Sequence, residues 1–69
     1  MVEVFKTNVR YKKEAGILLS DLLKTFPCYQ INFDLMDRDK ILRVEGSFVQ
    51  PEQIIEVMKG KQYECEVLN

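Results

Sequence analysis

An α+β fold with one antiparallel sheet is the class this chain predicts, and three observations carry the prediction. Four segments read as strands, from β-branched content or from apolar residues at every second position. Two segments place apolar residues three and four apart, the spacing of one helix face. The six follow one another as β-α-β-β-α-β, and they occupy nearly all of the 69 residues. Hydrophobic residues make up 46% of the chain, too many for a disordered tail. A chain this short supports one core and no second domain.

Each element has its own local reason. Residues 2–9 are rich in β-branched side chains and hold neither Gly nor Pro, so they predict a strand with Phe5, Thr7 and Val9 on one face. Arg10 to Glu14 read as a charged loop. Ala15, Leu18, Leu19, Leu22 and Phe26 then form a helical stripe that Pro27 ends, because proline disfavours helical geometry in the residue before it. From Tyr29 the period becomes two: Tyr29, Ile31, Phe33 and Leu35 alternate with polar residues. Asp37-Arg38-Asp39-Lys40 is a polar turn, and Ile41–Glu45 returns as the second arm of a hairpin ended by Gly46. Pro51 and Glu52 suit a helix start, Ile54, Ile55, Val57 and Met58 give its apolar stripe, and Gly60 is the expected stop. Tyr63–Val67 alternates as a last strand. Right-handed crossovers then predict a ferredoxin-like βαββαβ sandwich: four antiparallel strands in the order 4-1-3-2, with both helices on one face.

With these elements in place, the chain resembles the heavy-metal-associated domain family, which includes copper chaperones. Phe5–Arg10 resembles the family's first strand leading into its metal loop, and Ile31–Leu35 its second strand. Lys40–Gly46 resembles the third strand, Glu52–Lys59 the second helix, and Tyr63-Glu64-Cys65 the aromatic start of the fourth strand. The resemblance implies that residues 1–69 form a single domain of this type. In the family, a Cys-x-x-Cys pair after the first strand holds a soft cation. Tyr11 and Glu14 stand at those positions here, with Lys12 and Lys13 between them. A phenol and a carboxylate are hard oxygen donors, and two lysines repel a cation. The expected reading is a degenerate metal site, with Tyr11, Glu14 and Cys65 the only weak candidate ligands and no cofactor.

Charge and composition exclude further classes. Ten Lys and Arg against 11 Asp and Glu give a formal charge of −1, which offers no general attraction to nucleic acid. No segment reaches the about 18 apolar residues of a membrane-spanning helix. With no histidine, no telling carboxylate pair, and Ser20 and Ser47 lacking the setting of a nucleophile, the sequence predicts no enzyme. Two cysteines are too few for a disulfide framework, and the opening Met-Val-Glu-Val-Phe-Lys lacks a signal peptide's apolar stretch, so a cytoplasmic setting is expected. Cys28 and Cys65 fall on opposite edges of the expected sheet, so no bond between them is expected within one chain. Cys65 reads as a small core residue. What remains is an interaction surface: Arg10, Tyr11, Lys12, Lys13 and Glu14, with Tyr63 beside them, facing a protein partner with an acidic surface. The bland alternative is a solvated charged loop. A monomer or weak homodimer is expected, with the strand at 29–35 as the template for edge pairing.

Overall fold

Alternation puts Phe5 and Thr7 on the face of the first strand that meets the helices, and both are buried. The computed structural model describes residues 1–68 and has the expected element order: β1 (Val2–Thr7), α1 (Lys12–Thr25), β2 (Gln30–Asp34), β3 (Ile41–Glu45), α2 (Pro51–Gly60) and β4 (Cys65–Val67). The strands form one antiparallel sheet in the order β2-β3-β1-β4, which is 4-1-3-2 read from the other edge. One core joins Phe5, Ile31, Leu42 and Val44 of the sheet to Ala15, Leu18 and Leu22 of α1 and Ile54 and Met58 of α2. Both helices therefore cover the same face, with α1 packed on β2 and α2 on β4.

The register fixes which strand each backbone group serves. The Gly46 N–H donates to the Met1 carbonyl at 3.0 Å, one step beyond the Val2–Glu45 pair. Because antiparallel pairs alternate between bonded and non-bonded, Leu42 and Val44 turn their backbone groups to β1. Ile41, Arg43 and Glu45 must then turn theirs to β2. At the other side of β1, the Leu68 N–H donates to the Val4 carbonyl at 2.8 Å, which fits the same phase.

The boundaries depart from expectation at four places. β1 stops at Thr7 rather than at residue 9, although Val9 is fully buried below it. The Thr7 hydroxyl donates to the Lys40 carbonyl and accepts the Val9 N–H at 3.2 Å, so a side chain replaces the ladder there. α1 begins at Lys12, so Lys12, Lys13 and Glu14 form a helical turn and not a loop. β4 starts at Cys65, two residues after Tyr63, because the Tyr63 N–H serves the Met58 carbonyl and the Glu64 N–H serves the Asn8 side chain. The turn out of α2 is also not made by Gly60.

Gln62 makes it instead, with φ of 70°, while no glycine of the described residues has a positive φ. The Gln62 N–H donates to the Lys59 carbonyl at 2.9 Å and the Tyr63 N–H to the Met58 carbonyl at 3.0 Å, the paired bonds of a Schellman stop. A left-handed backbone at a residue with a Cβ costs roughly 1–2 kcal/mol. Gln62→Gly is therefore expected to raise stability by about 1 kcal/mol, read as a later urea midpoint with unchanged slope. A midpoint that falls would show that the Gln62 side chain contributes more than its backbone costs.

Candidate functional site

The segment between β1 and α1 is held at both ends. Val9 sits in the core, and Asn8 accepts the Glu64 N–H on its side-chain oxygen at 2.9 Å, tying this segment to the chain entering β4. The same end of the molecule therefore carries the start of α1 and Tyr63. Glu14 and Tyr63 do come together, both partly buried. Burial first, then the nearby Glu14 carboxylate, hold the Tyr63 phenol above its ordinary pKa.

The other four residues face water. Arg10, Tyr11, Lys12 and Lys13 are all exposed, Tyr11 at 62%. Tyr11 is the N-cap of α1, with extended φ and ψ of −116° and 141°, and its side chain caps nothing. The first-turn N–H groups of the helix thus have no side-chain acceptor at the cap. Its carbonyl closes the first turn by accepting the Ala15 N–H at 3.0 Å. Lys12 and Lys13 put positive charge beside the positive end of the helix dipole, an arrangement that local stability does not favour. Glu14 is the one acid of this turn, and it is the one turned toward Tyr63.

Cys65 shares the register position of buried Thr7, which places it on the helix side of the sheet. Burial, with a smaller effect from Glu66, pushes its thiol up to about 12, so it keeps its proton at neutral pH and is a poor metal ligand. It lines an open cleft of about 470 Å³ at the β4 edge, where Lys6 and Lys59 face Glu64 and Glu66 and no sign of charge dominates. Cys28 is exposed ahead of β2, and both cysteines are free. Among the described residues no three of His, Cys, Asp and Glu cluster as metal ligands would, and no helix is long and apolar enough to cross a membrane.

Asn8 is the member of this site that the sequence pattern did not single out. Inside a strand predicted over residues 2–9, Asn8 reads as an ordinary polar residue of the face away from Phe5 and Thr7, and its partner lies 56 positions away. Comparison of the chain with protein-family models, with curated proteins and with solved structures finds no match in any of the three.

Proposed function

We propose that the chain is a non-catalytic protein-interaction module with a degenerate metal position, of the heavy-metal-associated type. Arg10, Tyr11, Lys12 and Lys13 contact an acidic surface of a partner, while Glu14 and Tyr63 brace the turn beneath them. One observation carries this reading: α1 begins with an uncapped, exposed tyrosine and two lysines, against the capping and dipole preferences of those three positions. Ser or Asp at position 11 and carboxylates at 12 and 13 would each be more stable. Local rules are broken in this way where a surface serves recognition, and three exposed cations beside one exposed aromatic ring suit carboxylate groups. A metal-carrying role through Tyr11, Glu14 or Cys65 finds less support, because the cysteine is protonated and the lysines repel a cation. The cytoplasm is the compartment proposed, on the strength of two unbridged cysteines.

The test separates recognition from stability. Proteins retained on the immobilised wild-type chain are expected to be lost from Lys12→Glu/Lys13→Glu, with affinity down by more than about tenfold. The same variant is expected to unfold at a higher urea concentration, since the new carboxylates suit the helix start. Retention of the same proteins at equal affinity would overturn the proposal.

A further inference from the structure

The sheet has two open edges, and β2, with five residues against three in β4, is the longer and carries its unserved backbone groups in a self-complementary order. Gln30, Asn32 and Asp34 pair with Glu45, Arg43 and Ile41 of β3, the residues whose backbones turn toward β2. Ile31 and Phe33 must therefore direct their N–H and C=O groups outward, away from the sheet. None of these four groups makes a turn, loop or side-chain hydrogen bond among the described residues. The strand carries no Lys, Pro or Gly, and its one charge is Asp34, so the usual devices that blunt an edge are missing.

We propose that β2 pairs antiparallel with β2 of a second copy of this chain, about a two-fold axis through Asn32. In that register Ile31 of each copy faces Phe33 of the other, and the pair exchanges both N–H to C=O bonds. All four outward groups on each chain are then satisfied. The side chains match as well. Ile31 and Phe33 meet on the helix side, where Phe33 is only partly buried in the single chain. Gln30 meets Asp34 and Asn32 meets Asn32 on the open side, amide to carboxylate and amide to amide, with no like charges opposed. Leu23 adds to the apolar margin. It is 37% exposed on the helix packed over β2. At 100° per residue it lies on the opposite side of α1 from Asp21, which reaches Lys61 beyond α2. A shift of one residue in the pairing would put apolar side chains opposite polar ones, while an axis at Ile31 or Phe33 would use Tyr29, whose N–H already serves the Phe26 carbonyl, or Leu35, whose carbonyl already accepts from Lys40. The result is a continuous eight-stranded sheet.

Asn32 is exposed and its side chain makes no hydrogen bond among the described residues, so it can be charged without unfolding the chain. Sedimentation of the full chain from about 10 μM to about 1 mM is expected to show a monomer–dimer equilibrium. Asn32→Lys and Asn32→Asp each place like charges on the axis and are expected to weaken that dimer by more than about tenfold. An equimolar mixture of the two variants is expected to form a heterodimer, with each variant's circular dichroism unchanged. A wild-type chain that is monomeric throughout overturns the proposal. So does a dimer that Asn32→Lys leaves intact, or a mixture that stays monomeric. Binding of an acidic partner at Lys12 and Lys13 is read separately and does not depend on this result.

Discussion

Phe5→Ala is expected to leave the chain largely unfolded at 25 °C. Phe5 is fully buried in β1, between Leu42 of β3 and Val67 of β4 in the register, so its ring joins both halves of the sheet to the helices. Truncating such a ring costs about 3–5 kcal/mol, from lost transfer energy and the cavity left behind. A core in a chain this size supplies roughly 3–5 kcal/mol in all. The two quantities are equal, and the folded fraction falls accordingly. Far-ultraviolet circular dichroism with a urea titration checks this. A variant that keeps a cooperative transition within about 1 kcal/mol of wild type would show that the core closes around the gap.

Gly46→Ala is the second large effect, and it comes from crowding instead of a void. A Cβ at residue 46 would lie 2.7 Å from Cδ1 and 3.1 Å from Cε1 of Tyr29. The ring cannot swing aside freely. It stacks on Phe26 with centroids 5.3 Å apart and planes at 12°, and its hydroxyl donates to the Phe48 carbonyl at 2.9 Å. Relief by either route breaks one of these contacts or moves the end of β3. The expected loss is about 1–3 kcal/mol, measured as a lower urea midpoint. An unchanged midpoint would mean that the backbone at the hairpin's end yields without cost. Because the backbone at Gly46 is not in the left-handed region, the effect is steric alone.

Gly46 shows how far the sequence could be read. Its place after Ile41–Glu45 marks a strand end, and the structure agrees, but the need for a missing Cβ comes from Tyr29, 17 positions earlier in the chain. Nothing in local pattern reports a contact of that kind. The strands and helices themselves were legible because periodicity is a local property: the stripe at Ala15, Leu18 and Leu22 and the alternation through Ile31 and Phe33 both end up in or against the core. Boundaries were less so. Arg10–Glu14 looked like a loop because its charges hide a helical turn that carries no apolar residue. Gly60 looked like the helix stop because glycine usually makes one, whereas here Gln62 takes the left-handed position. The candidate site was legible as a group of residues, and the juxtaposition of Glu14 with Tyr63 followed from the topology. The Asn8 tie that secures it did not, since it joins residues far apart in the chain.

The place of β1 in the sheet has a consequence for biosynthesis. β1 is made before both of its neighbours in the sheet, β3 and β4, with α1 and β2 coming in between. At about 5–20 residues per second, a nascent chain carries an unpaired β1 for seconds before β3, and then β4, exists to flank it. The hairpin of β2 and β3 can form from adjacent residues meanwhile, but β1 is flanked on both sides only once β4 has been made. During translation, Phe5 therefore belongs to an exposed apolar segment, open to any nascent-chain-binding factor that recognises extended hydrophobic stretches.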